Sequence, residues 1–173
     1  MAINSDPVDA AGVARRYFEA VARRDLDAMV APWEPGAPDV IHGVVEMRVP
    51  EDLRSWFGNL FAAFPDFTFE VLDVMATGEK AAVRWHATGT FNGSARFEGL
   101  DPNGASIDLQ GCDVLTVREG RIVRNDAYMN GAEMARQLGA LPPAGSGPEK
   151  AMTAALNLKT RLTAAIRQRR TPS

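Results

Sequence analysis

Cysteine, histidine and tyrosine are scarce in this chain: one, two and two among 173 residues. A single thiol, Cys112, excludes a disulfide within the chain, and His42 with His86 cannot build a Cys/His cluster of zinc spacing. No metal is expected. Long apolar runs are missing as well. No stretch approaches the roughly 18 apolar residues of a membrane span, and the opening "MAINSDPVDAAG" has neither the basic start nor the apolar run of a signal segment. The expectation is a cytoplasmic protein with no membrane partner. Walker-type and dinucleotide-binding glycine patterns are absent, as is any internal repeat.

What is present is the make-up of one globular domain, with 46% of residues hydrophobic and 24% charged, enough for a full core. The net charge is −3, unevenly placed. Residues 140–173 hold six Lys/Arg against the single Glu149, a net of +5, which leaves −8 for the rest. Such an acidic body argues against nucleic acid as a partner.

Asp6-Pro7 reads as a helix cap with proline at the first helical position, after which Ala14, Tyr17, Phe18 and Val21 repeat at helical spacing. Asp25 caps a short second helix bearing Leu26, Met29, Val30 and Trp33, ended by "EPGAP". An extended piece, "DVIHGVVEMRV", follows. Pro50-Glu51-Asp52 opens a third helix whose Leu53, Trp56, Phe57, Leu60, Phe61 and Phe64 form a stripe wide enough to cover a sheet. From Phe67 the period becomes that of strands: "FTFEVLDVMA", "KAAVRWHATGTF", "SIDLQGCDVLTV" and "RIVRNDAYM", the first two joined at Gly78-Glu79 and the last two at Glu119-Gly120. Helices first and strands afterwards favour an α+β domain, with helices on one face of a mainly antiparallel, curved sheet. Residues 131–139 form a closing helix and "LPPAGSG" a linker. Pro148-Glu149 then starts a helix striped by Ala151, Ala155, Leu158, Leu162 and Ile166, expected to dock on its own domain or on a second subunit. The chain divides into a domain over residues 1–143 and a linker with a basic amphipathic helix over 144–173.

Asp113 stands out among Val114, Leu115 and Val117. A carboxylate in an apolar strand must reach water, find a partner or stay protonated. Alternation puts Asp113, Leu115 and Val117 on one face and Cys112, Val114 and Thr116 on the other, and neither face is clearly polar. Along the neighbouring strands, His86 is expected on the outer, polar side with Arg84 and Thr88. Asp126 and Tyr128 should look outward and Asn125 inward.

The stretches "YFEAVARRDLDAMV", "FAAFPDFTFEV", "AVRWHATGTF", "FEGLDPNGASIDLQGCDVLTVREGRIV" and "EMARQLGALPP", over about residues 8–143, resemble the SnoaL-like polyketide cyclases and the ketosteroid isomerases of the nuclear-transport-factor-two-like superfamily. The resemblance implies a cone in which helices curl under a bent sheet around an apolar pocket. Carried over residue by residue, it puts Asp113 where the isomerases hold a protonated aspartic acid and Tyr17 where they hold the tyrosine that donates the second hydrogen bond to the substrate oxygen. It puts His42 at or one residue from their aspartate base. Ketosteroid isomerase is a known case of an acid kept neutral by an apolar site so that it can donate a hydrogen bond. Ala127 falls where SnoaL-like cyclases carry a catalytic aspartate, with Asp126 next to it. Limonene-epoxide hydrolases need an Arg and two Asp where this chain has Trp85, Ala87 and Ala127.

The chemistry so implied is proton transfer next to a carbonyl, as in aldol-type ring closure or double-bond isomerisation, on a hydrophobic polycyclic polyketide- or steroid-like substrate, with no cofactor. His42 would be the base, and Tyr17 and Asp113 would hold the developing oxyanion. Trp85, Asn125, Met129, Phe57 and Phe61 would bind the substrate. The alternative is a non-catalytic binding or assembly protein of the same fold. A homodimer is expected, through the convex sheet face or the C-terminal helix.

Overall fold

Asp9 closes the first turn of helix α1 (Ala10–Arg23), its carboxylate accepting the Gly12 N–H at 2.8 Å. The structure is a computed structural model that describes residues 9–169, with side chains described through 164. The expected cap at Asp6-Pro7 lies outside the described residues. Arg24 ends α1 in the left-handed region at φ 57°, and its guanidinium donates to the carbonyls of Pro65 and Phe67. Helix α2 (Leu26–Val30) is capped by Asp25, as the sequence predicts.

The extended piece proves to be a hairpin. Strands β1 (Pro38–Ile41) and β2 (Val45–Arg48) pair antiparallel across a turn in which Gly43 takes φ 80°, a conformation open to glycine. Helix α3 (Glu51–Ala63) precedes four long strands, β3 (Thr68–Thr77), β4 (Lys80–Thr90), β5 (Ser106–Arg118) and β6 (Arg121–Met129). The sheet runs β2-β1-β6-β5-β4-β3; only the β1/β6 pair is parallel. Sequential pairing makes β3 to β6 a meander, and the parallel pairing carries the hairpin back to the far side of β6.

The fold is α+β: α1 packs on β3, β4 and β5 of the curved six-stranded sheet. The core between them is aromatic. Phe64, fully buried at the end of α3, stacks on Phe91 at 5.1 Å and meets Phe97 edge-on at 5.4 Å. Phe64→Ala is expected to destabilise the domain by about 3–5 kcal/mol in urea unfolding. It should also loosen the segment bearing Phe97.

Helix α4 (Gly131–Gln137) is capped by Asn130, and α5 (Gly147–Arg169) follows the linker. Residues 150–164 of α5 are exposed throughout. Docking on its own domain is therefore not what the chain does with Ala151, Ala155, Leu158 and Leu162; Ile166 lies among the side chains not described. No described helix is long and apolar enough to cross a membrane.

Candidate active site

Strand alternation and one helical stripe aim five polar or amphipathic side chains at one point inside the domain. Tyr17 comes from α1, Asp39 from β1, Trp85 from β4, Asp113 from β5 and Asn125 from β6. All five line one cavity and are buried. The Tyr17 hydroxyl donates to Asp39 Oδ2 at 3.2 Å, and Asn125 Nδ2 donates to Asp39 Oδ1 at 2.9 Å and to Asp113 Oδ2 at 2.7 Å. The Trp85 indole N–H completes the chain by donating to Asp113 Oδ1 at 2.7 Å. Both hydrogens of one amide thus tie two carboxyls together.

Register explains the convergence. Asp39 pairs across to Asn125, and Asp113 to Ala127, so Asn125 sits diagonally from Asp113 while the methyl group of Ala127 faces it directly. Gly111 lies opposite Trp85 on β5, and the indole ring occupies the space that a side chain at 111 would fill. That leaves the indole N–H over Asp113, two residues along.

Burial decides the electrostatics. Desolvation is the main reason the Asp39 carboxyl is pushed up to about 7, with the nearby Asp113 adding to it and the Asn125 and Tyr17 hydrogen bonds opposing it. Burial likewise lifts Asp113 to about 6, against the hydrogen bonds from Asn125 and Trp85. The Tyr17 hydroxyl is driven well above its usual value, first by burial and then by the two carboxyls.

The rest of the cavity wall is apolar, with Trp56, Phe57, Leu60, Phe97, Met129 and Met134 among its residues. Its volume, about 90 Å³, is several times the ~10–15 Å³ one water needs, so a small organic body can enter.

Sequence reasoning names Tyr17, Asp113, Asn125, Trp85, Met129 and Phe57, and all of these line the cavity. Two other expectations need correction. His42 is not in the cavity wall. Alternation along β1 turns Asp39 and Ile41 inward and His42 outward, where its Nε2 meets Asp126 Oδ1 at 2.9 Å and its ring stacks on Tyr128 at 4.6 Å. Phe61 stands behind the wall, against Phe57 and Phe67 and under Arg24. Asp113 is also not placed as the expected donor to a substrate oxygen, since both its oxygens accept N–H bonds.

Asp39 is the residue that sequence reasoning missed. The signal was available in the alternation of "DVI", which puts Asp39 on the face of Ile41. On the outer face the expectations hold. Asp126 pairs with Arg124, whose hydrogen bonds are the main cause of its carboxyl lying at about 2. His86 bonds to Asp108 at 2.8 Å, and Tyr128 is exposed.

Comparison with known proteins bears on the fold. Among solved structures, AclR, a hydroxylase candidate from Streptomyces galilaeus, is 22% identical and covers 97% of this chain and 100% of its own, with a TM-score of 0.69. Coverage that high extends past Pro143 into α5. A SnoaL-like polyketide cyclase candidate from Jannaschia sp. CCS1 is 19% identical over 82% of this chain and 99% of its own, with a TM-score of 0.69. IdmH, a polyketide cyclase candidate from Streptomyces antibioticus, is 26% identical over 76% and 99%, with a TM-score of 0.62. None of the curated proteins compared matches the chain. The family model described as "SnoaL-like domain" matches residues 14–125, the stretch that holds Tyr17, Asp39, Trp85, Asp113 and Asn125. With more than half of its length matched, this chain belongs to the SnoaL-like domain family.

Proposed function

We propose that the protein is an enzyme that moves a proton at a carbon next to a carbonyl of a small hydrophobic ligand, in a ring closure or a double-bond isomerisation. The observation that carries this reading is a buried carboxyl, Asp39, held at about 7 beside the Tyr17 hydroxyl, with Asn125 and Asp113, in a cavity whose remaining wall is largely apolar. A base whose pKa lies near the working pH combines availability with driving force.

Asp39 takes the proton. Tyr17 holds the oxygen on which negative charge develops; its 3.2 Å bond to Asp39 is long for O–H···O, so the hydroxyl can turn to a stronger acceptor. Asp113, fixed by Trp85 and Asn125, supplies negative charge that keeps Asp39 basic. The apolar wall orients the carbon skeleton and keeps water out.

The test is deuterium exchange. The protein is incubated in D₂O with a panel of hydrophobic cyclic ketones, and loss of α-proton signal is followed by NMR. At least one ketone is expected to exchange faster than in buffer, and His42→Ala should leave that rate within about threefold because its ring lies outside the cavity. If no ketone exchanges and binding is indifferent to pH, the cavity is that of a carrier.

A further inference from the structure

The cavity that holds Asp39 has a volume of about 90 Å³, less than the ~150 Å³ of an apolar cavity that takes one benzene ring. A hydrophobic ligand of two or more rings therefore needs a wall that gives. Most of the wall is locked into regular structure: of the residues that line the cavity, only Phe67 and Phe97 lie outside the helices and strands. Phe67 is pinned, because its carbonyl accepts from the Arg24 guanidinium and its N–H donates to the Phe64 carbonyl at 3.0 Å. Phe97 is held differently.

It sits in the connection between β4 and β5, whose two feet are fixed. At the first, the Gly93 and Ser94 N–H groups donate to the last carbonyls of α3, those of Ala63 and Ala62, and a β-carbon at 93 would lie 1.9 Å from the Ala62 oxygen. At the second, the Asn103 and Gly104 N–H groups donate to the Phe91 carbonyl, and the Asn103 side chain donates to that of Leu138. Between the feet, Phe97 and Leu100 exchange both backbone hydrogen bonds, at 3.1 and 2.9 Å, around Glu98 and Gly99 with φ 48° and 79°. Such a closed two-residue turn moves as a unit. Among the described residues, two hydrogen bonds fasten this tip to α3: Asn59 Nδ2 donates to the Arg96 carbonyl at 2.7 Å, and Trp56 Nε1 donates to Glu98 Oε1 at 3.3 Å. Both are exposed to water, where a hydrogen bond contributes little net stability.

We propose that residues 95–101 are a hinged part of the cavity wall, which swings on the two feet and carries Phe97 outward, so that the site takes fused-ring hydrophobic ligands and Phe97 sets their size. The proposal rests on the reading of this cavity as the ligand site, whatever chemistry follows there. Burial of the Phe97 ring, edge-on to Trp56 at 5.7 Å and to Phe64 at 5.4 Å, favours the closed position. A ligand of two rings offers the displaced ring a new apolar surface, and a small ring asks least of the wall. Binding to the open position is weakened by the fraction of molecules that are closed, so whatever loosens the two fastenings strengthens the binding of large ligands selectively.

The test compares cyclopentanone with the fused two-ring ketone 2-decalone, with dissociation constants measured by NMR titration of the full chain. The double variant Asn59→Ala with Glu98→Ala removes both fastenings, and both residues are exposed and outside the cavity wall. It is expected to bind 2-decalone at least about fivefold more tightly than wild type does, and cyclopentanone within about twofold of wild type. Phe97→Leu, which trims the ring that closes the wall, should shift the preference toward 2-decalone in the same direction. An equal change for both ketones overturns the proposal, as does unchanged or undetectable binding of 2-decalone by the double variant. Proton exchange of the bound ketones in D₂O is scored separately: exchange without the size effect rejects the hinged wall alone, and the size effect without exchange rejects the proton-transfer reading alone.

Discussion

Asp39→Asn is expected to slow proton exchange by about 10²–10⁴-fold while making the protein more stable above neutral pH. The two effects have one origin. An acid raised to about 7 when folded and titrating near its ordinary value when unfolded binds its proton more tightly in the folded state. Its contribution to stability is fully present below the unfolded value, near pH 4, and is lost as pH climbs through about 7. Asp113 acts in the same direction over a shorter span, ending at about 6.

At a pH above 7 the folded protein therefore holds a poorly solvated charge at position 39. An amide removes that charge and can still accept from Asn125. At roughly 1.4 kcal/mol for each pH unit that separates the folded value from the unfolded one, the gain is on the order of a few kcal/mol. Melting temperatures of wild type and variant across pH should converge near pH 4 and separate above 7. In the active wild type, kcat/KM should rise with pH and level off above about 7. Asp113→Asn should move that limb to lower pH, because it removes the negative charge that helps to raise Asp39. A limb that stays in place with a lower plateau would mean that Asp113 acts through position alone.

The second large effect is expected at a residue with no side chain. A β-carbon at position 111 would lie 2.2 Å from the Trp85 Cζ2 and 2.7 Å from two other indole carbons. Gly111→Ala must push the indole away. Overpacking of this kind costs about 1–3 kcal/mol, and here it also withdraws the N–H from Asp113 Oδ1. Exchange activity should fall at least about tenfold, with a changed near-ultraviolet circular dichroism band from the displaced tryptophan. Trp85→Phe separates the two contributions, since it deletes the donor while relieving, rather than adding, crowding at Gly111. Full activity in Trp85→Phe would show that the Trp85–Asp113 bond is dispensable.

How far the sequence revealed the site depends on the strand concerned. In β4 and β6 the alternation runs between clear turns and turns Trp85 and Asn125 inward, whereas along β5 neither face is clearly polar and only the family resemblance put Asp113 in the pocket. Tyr17 follows from a helical stripe with the same clarity. The hairpin is different. Its strands have four residues each and its turn falls at His42-Gly43-Val44, so the stretch reads as one extended piece and its inward face is hard to assign. A titratable histidine then draws attention from an aspartate three residues earlier. Asp39 is unpromising in isolation because its partners lie far off in sequence, 22 residues away in Tyr17 and 86 in Asn125. Only the parallel pairing of β1 with β6 makes it a neighbour of either. Exposure of α5 was equally illegible, because an apolar stripe does not say what it faces.

The placement of β1 also bears on how such a site could change over generations. Four of the five converging side chains come from α1 and from the central strands β4, β5 and β6, where a shift would disturb the whole interior. Asp39, the proposed base, alone rides on a short ribbon at the border of the sheet, joined to the rest by one neighbouring strand. A one-residue slip of β1 against β6 would turn Asp39 to the outer face and leave the other four side chains in place. The domain is in that sense divided into a fixed socket and an interchangeable tool.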